Sequence, residues 1–166
     1  QERCVYVRTL NGQGSGVIIG HNLVLIPFHL FEFQSAIYVD GKEAQIGTVS
    51  PAGDMALLKV DVKNFPRPEF GKVEIADTVF YVGSPTNLQC SVVFGRIVNL
   101  DVNHIYSSAI PQPGFSGSGV WTLRGQFVGM MNQMRGEKIG GWFSMGIPAD
   151  NIRRFLGTLR GPPELY

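Results

Sequence analysis

Twelve short runs rich in β-branched and aromatic residues, each closed by Gly, Pro, Asn or Asp, constrain this chain to an all-β fold. Before Pro66 they are Val5–Thr9, Gly16–Ile19, Leu23–Pro27, Ala36–Val39, Glu43–Val49 and Ala56–Val60. After Pro68 they are Val79–Val82, Ser91–Val98, His104–Ser107, Gly119–Thr122, Gln126–Asn132 and Gly141–Ile147. Two sets of short strands on either side of Pro66-Arg67-Pro68 predict two barrels or sandwiches. The expected units are 1–65, a linker at 66–68, 69–147, and a helix and tail at 148–166. The only helix signal is terminal, with Pro148 at a start position and Ile152, Phe155 and Leu156 at helical spacing.

The segment Pro113-Gly114-Phe115-Ser116-Gly117-Ser118-Gly119 puts a serine between glycines just ahead of an apolar strand. A serine hydroxyl is a weak nucleophile until a base takes its proton and backbone amides receive the oxyanion. Flanking glycines let the chain bend tightly enough for N–H groups to point at one spot. The same pattern occurs in ordinary turns, so it needs support from elsewhere in the chain.

Two segments supply it. His29 closes the buried-strand-like run Leu23-Val24-Leu25-Ile26-Pro27-Phe28, and Asp54 lies where the Gly53 turn feeds Met55-Ala56-Leu57-Leu58. Taken singly, His29 is a structural histidine, Asp54 is turn chemistry and Ser116 is a loop serine. Taken together they stand in the order His, Asp, Ser, which is the chymotrypsin-type order and not that of subtilisin or the α/β-hydrolases. Twenty-five residues separate His29 from Asp54, which suits one small barrel, and 62 separate Asp54 from Ser116, which suits a crossing into a second. Ser118, Asp40 and Asp61 are rivals. Asp40, before Gly41, reads better as a hairpin turn, and Asp61 falls at a strand end.

The chain resembles a compact chymotrypsin-fold serine endopeptidase from about Gly14 to about Leu156. Ile26-Pro27-Phe28-His29-Leu30-Phe31 followed by Ile37-Tyr38-Val39-Asp40-Gly41 is similar to the histidine segment of picornavirus-type main proteases, in a serine-bearing branch. Gly14-Ser15-Gly16-Val17-Ile18-Ile19, Asp54-Met55-Ala56-Leu57-Leu58-Lys59-Val60 and Gly146-Ile147-Pro148-Ala149 resemble the bacterial high-temperature-requirement family. Ser118-Gly119 departs from the Gly-Pro usual in that family, and Phe28 is bulkier than the residue many trypsin relatives carry before the histidine.

The resemblance implies two six-stranded antiparallel β-barrels with a short C-terminal helix. It implies Ser116 as nucleophile, His29 as base, Asp54 as its orienting acid, and the N–H groups of Gly114 and Ser116 as the oxyanion hole. Substrate would contact Ile110, Pro111, Met131, Asn132 and Gln133. No acid lies in Ala109–Gln112, so an apolar or aromatic side chain is expected at the cleaved position. Phe115 stands where pancreatic enzymes carry an activating aspartate, so no such zymogen switch is expected. The first expectation is processing of a viral polyprotein. The alternatives are a bacterial-type quality-control protease and a protease-fold binding module without turnover.

Net charge of +1 over 166 residues gives no electrostatic case for nucleic acid. RNA binding remains a lesser expectation carried by the viral resemblance, and Arg153, Arg154 and Arg160 read as a solvated helix face. The expected partner is a polypeptide substrate. Three scattered histidines and two cysteines have no metal-ligand spacing, and no cofactor is expected. No apolar run is long enough for a membrane span, and residues 1–15 lack a signal-peptide pattern. Cys4 and Cys90 fit a reducing compartment such as a host cytoplasm, or a fold that needs no staples, with one bridge between them left open.

Overall fold

A computed structural model of the chain describes residues 2–10, 12–31, 36–85, 90–109, 114–137 and 141–159. The first barrel consists of β1 (Cys4–Thr9), β2 (Gln13–Gly20), β3 (Leu23–Ile26), β4 (Ile37–Val39), β5 (Lys42–Ser50) and β6 (Met55–Lys59), closed in the order β1-β2-β3-β6-β5-β4. The second consists of β7 (Thr78–Gly83), β8 (Ser91–Leu100), β9 (Ile105–Ser107), β10 (Gly119–Thr122), β11 (Phe127–Glu137) and β12 (Gly141–Pro148), closed as β10-β11-β12-β9-β8-β7. All pairings between neighbouring strands are antiparallel. One helix, α1 (Ala149–Leu156), follows β12.

The near-continuous apolar runs of β3 and β6 follow from the two-residue period of a strand. Val24, Ile26, Ala56 and Leu58 point into the first barrel with Val5, Val7, Ile18, Ile37 and Val39. Their neighbours Leu23, Leu25, Met55 and Leu57 point the other way. They pack with Val17 and Ile19 of β2, with Phe127, Met130 and Ile147 of the second barrel, and with Ile152, Phe155 and Leu156 of α1. Alternate residues of one strand therefore serve the barrel interior and the seam between barrels. The helix enters through Pro148, which supplies no side-chain cap, and Asp150 in its first turn complements the helix dipole.

The second barrel is filled by Val79, Tyr81, Ile97, Ile105, Phe115, Val120, Val128 and Met131. Burial pushes the Tyr81 hydroxyl above its ordinary pKa, although the hydroxyls of Ser107 and Ser144 bind it. Tyr81 donates to Ser107 Oγ at 2.6 Å, and Ser144 donates to the Tyr81 oxygen at 2.8 Å. The same Ser107 Oγ accepts the Ala109 N–H at 3.2 Å, which anchors the chain just ahead of 110–113.

Cys4 and Cys90 form a disulfide that ties β1 of the first barrel to the segment entering β8 of the second. Of the possibilities the sequence left open for these two cysteines, the structure shows the bridge. The two residues are 86 apart in sequence, and their bridge joins one barrel to the other.

Candidate active site

Pro27 cannot donate a ladder hydrogen bond, so β3 stops at Ile26 and the chain turns into a single 3₁₀ turn, Phe28–Phe31. That turn carries His29 to the rim of the barrel. Asp54 sits in the β5–β6 connection with φ of 54°, a left-handed conformation that aspartate tolerates better than most residues. The turn is fixed by the Asp54 N–H on the Pro51 carbonyl at 3.2 Å and the Gly53 N–H on Ser50 Oγ at 3.3 Å.

Asp54 receives His29 twice. Its Oδ1 accepts the His29 backbone N–H and its Oδ2 lies against His29 Nδ1, both at 2.9 Å. A third donor, Asn132 Nδ2, reaches the same Oδ2 at 3.2 Å. Burial acts to raise the Asp54 carboxyl pKa. The hydrogen bonds from the His29 side chain and backbone, the His29 charge and the Asn132 amide outweigh it, and the carboxyl lies below its usual range. With Nδ1 donating to this carboxylate, Nε2 is the unprotonated nitrogen of the neutral ring and can serve as a base. Ser116 Oγ lies 3.2 Å from it. The same hydroxyl is 3.1 Å from the Asn132 carbonyl, so its single proton has two acceptors within reach.

Left-handed glycines bracket the loop that presents Ser116, Gly114 with φ of 95° and Gly117 with φ of 99°. Between them, Phe115 is 1% exposed and buries its ring in the second barrel. The Gly117 N–H donates to the Met131 carbonyl at 2.8 Å and the Ser118 N–H to the Phe115 carbonyl at 2.9 Å. By contrast, the N–H groups of Gly114 and Ser116 have no acceptor among the described residues. Ser118 is fully buried and its hydroxyl binds the Phe115 carbonyl, so it is a loop brace. Asp40 accepts the Tyr6 N–H at 2.9 Å in the β4–β5 turn, and Asp61 lies 3.6 Å from Lys42.

The residues expected to contact substrate divide. Ile110 and Pro111 lie outside the described residues. Met131 is 3% exposed and packs in the second-barrel core. Asn132 is turned towards Asp54 and Gln133 is exposed. Sequence reasoning missed the Asn132–Asp54 contact. The register of β11 on β12 jumps from Met131↔Gly146 to Gln133↔Met145, so Asn132 is the extra residue of a β-bulge. Bulges re-aim side chains in this way beside functional sites. Its Oδ1 is buried without a hydrogen-bond partner among the described residues. No group of three or more His, Cys, Asp or Glu among the described residues could hold a metal ion. None of the described helices is long and apolar enough to cross a membrane.

Two antiparallel barrels with a hydroxyl, an imidazole and a carboxylate aligned at their seam define a chymotrypsin-fold serine peptidase domain. The chain belongs to the trypsin-like peptidase domain family, whose model matches residues 14–130. It is 33% identical over 163 residues to a "Probable periplasmic serine endoprotease DegP-like" of Pseudomonas putida, covering 86% of this chain and 34% of that protein. It is 31% identical over 165 residues to "Serine protease HTRA1" of Xenopus tropicalis, covering 86% of this chain and 35% of that protein. The chain thus spans about a third of the length of these relatives. Among solved structures, the serine endoprotease from Yersinia pestis superposes with a TM-score of 0.81 at 25% identity, covering 94% of this chain and 62% of that one. The Rv3671c protease of Mycobacterium tuberculosis shares the fold with a TM-score of 0.82 at 18% identity, covering 96% of this chain and 90% of that one. These relatives support the bacterial branch of the two resemblances. The picornavirus-type branch, and with it a role in viral polyprotein processing, is not supported.

Proposed function

We propose that this domain hydrolyses peptide bonds with Ser116 as nucleophile, His29 as general base and then general acid, and Asp54 as the group that holds the imidazole tautomer. The observation that carries this reading is the unbroken line from Ser116 Oγ through His29 Nε2 and Nδ1 to Asp54 Oδ2, at 3.2 and 2.9 Å. Ser116 attacks the scissile carbonyl as His29 takes its proton. The imidazolium formed is stabilised by the Asp54 carboxylate and then protonates the leaving amine. The N–H groups of Gly114 and Ser116 receive the oxyanion, and their lack of an acceptor among the described residues suits that role. His29 is 42% exposed, which leaves the base reachable by substrate.

The substrates are proposed to be unfolded polypeptides, in the manner of a cellular quality-control protease. Similarity to proteins named as DegP-like and HTRA1 proteases supports this. The Cys4–Cys90 bridge fits an oxidising compartment in place of the reducing one expected from two cysteines. An apolar side chain at the cleaved position is proposed from the apolar composition around Ile110 and Pro111.

A fluorophosphonate probe should label the wild-type chain and not Ser116→Ala. Turnover of a reduced, unfolded protein should exceed that of its folded form, and Ser116→Ala should lower kcat by at least about 10⁴-fold. A folded sample in which Ser116 does not label at neutral pH overturns the enzymatic reading.

A further inference from the structure

One residue of the first barrel is hydrogen-bonded to the second at three points, two of them on the nucleophile loop. Ser15, in β2, is fully buried. Its backbone N–H donates to the Ser116 carbonyl at 2.7 Å. Its hydroxyl donates to the Gly114 carbonyl at 2.8 Å. The same Oγ accepts the Ser84 N–H at 2.8 Å, from the segment that follows β7. The direction of each bond is fixed. An N–H can only donate, so the Ser84 contact uses an Oγ lone pair, and the only hydroxyl proton goes to Gly114.

The approach is close enough to require glycine on both sides. A side chain on Gly117 would overlap the Ser15 carbonyl, and one on Gly14 would come within 2.9 Å of the Ser116 carbonyl. The backbones of β2 and of the nucleophile loop therefore lie directly against each other.

We propose that Ser15 is a positioning residue that holds the two oxyanion-binding amides in place from the opposite barrel. Gly114 has no Cβ to restrict its torsions, so the orientation of its peptide must be fixed from outside. Ser15 fixes the Gly114 carbonyl through its hydroxyl and the Ser116 carbonyl through its N–H. The Gly114 and Ser116 N–H groups sit on the peptides just before each fixed carbonyl. Without the hydroxyl, the Gly114–Phe115 peptide turns about soft glycine torsions and the oxyanion site loses its geometry, while His29 and Asp54 keep theirs.

This inference rests on the catalytic reading of Ser116, and the test separates the two. Ser15→Ala is compared with wild type on a peptide anilide, with rates divided by the end-point count of fluorophosphonate-labelled sites so that misfolded molecules drop out. The affinity of a matched peptidyl trifluoromethyl ketone, whose hemiketal oxygen needs the oxyanion site, is measured in parallel. The expected result is a fall of about 10- to 100-fold in kcat per labelled site and an equal fall in ketone affinity. KM should stay within about threefold and the pH midpoint of kcat/KM should not move. Should Ser15→Ala not fold, Ser15→Cys carries the same test, since it replaces a strong donor by a weak one at similar volume. A kcat per labelled site within about twofold of wild type overturns the proposal, as does a lower kcat with unchanged ketone affinity. If wild type turns over, Ser116→Ala does not, and Ser15→Ala is unaffected, only the clamp falls. If wild type neither labels nor turns over, the catalytic reading falls and takes the clamp with it.

Discussion

Replacing Asn132 with alanine distinguishes the two roles its position allows, substrate contact and support of Asp54. Its Nδ2 donates to Asp54 Oδ2 at 3.2 Å, and a hydrogen bond to a charged group contributes about 1.5–3 kcal/mol net. The same side chain leaves Oδ1 buried without a partner among the described residues, a penalty of about 1–3 kcal/mol. Asn132→Ala removes both, so unfolding free energy should change by no more than about 2 kcal/mol. Catalysis has no such offset. His29 still binds Asp54 through two contacts at 2.9 Å, so the loss stays far short of the roughly 10⁴-fold that follows disabling the acid. Looser placement worth about 1.4 kcal/mol in the transition state gives about a tenfold fall in kcat. The pH profile carries the sign. Without the amide, the Asp54 carboxylate becomes more basic and stabilises the imidazolium better, so the acid limb of kcat/KM moves to higher pH. The assay is a steady-state pH series on a peptide anilide, beside thermal unfolding of the same samples. A severalfold rise in KM with kcat and the acid limb unmoved refutes the argument and assigns Asn132 to the substrate.

Gly117→Ala should abolish fluorophosphonate labelling and cost at least about 3 kcal/mol by denaturant titration, because left-handed strain adds to overlap with the Ser15 carbonyl. Gly125→Ala is its control. There φ is 82° but nothing lies within 4 Å of the added carbon, so a cost of about 1 kcal/mol with normal labelling is expected. The double variant Cys4→Ser, Cys90→Ser opens a loop of 86 residues, and the expected loss is about 2–5 kcal/mol, or roughly 6–15 °C in Tm. A shift under about 2 °C by calorimetry counts against a stabilising bridge. Asp54 titrates below its ordinary range in the folded protein, so its ionised form stabilises the fold at neutral pH. That contribution is complete above the unfolded carboxyl pKa of about 3.9 and fades as pH falls through the lower folded value. In a Ser116→Ala background, the Tm difference between Asp54 and Asp54→Asn should therefore be flat above about pH 5 and narrow below about pH 4.

The strands were legible because their apolar residues serve two cores at once. Leu23-Val24-Leu25-Ile26 and Met55-Ala56-Leu57-Leu58 read as buried strands, and alternate members fill the barrel and the seam. The twelve expected runs coincide with β1 to β12, with ends shifted by a few residues. The 3₁₀ turn at Phe28–Phe31 was not legible, because its apolar side chains continue the pattern of β3 and only Pro27 marks the break. His29, Asp54 and Ser116 could be picked out because each lies at the junction of an apolar strand and a Gly- or Pro-marked turn, and the structure brings them within hydrogen-bond reach. Asn132 could not, since a strand read at period two gives no sign of the one-residue bulge that rotates it towards Asp54. Nor could the Cys4–Cys90 pairing, which depends on how the two barrels dock.

Under the proposed mechanism, division of the reacting groups between two barrels, with His29 and Asp54 on one and Ser116 on the other, makes turnover a gauge of docking. A slip of about 1 Å at the seam lowers a reaction of this kind by about 100-fold. Mild denaturant, pressure or a ligand wedged beside β2 should therefore silence the enzyme while circular dichroism still registers two intact barrels. Residual activity, measured along a titration, becomes a finer ruler for interdomain alignment than any spectroscopic signal from the strands themselves.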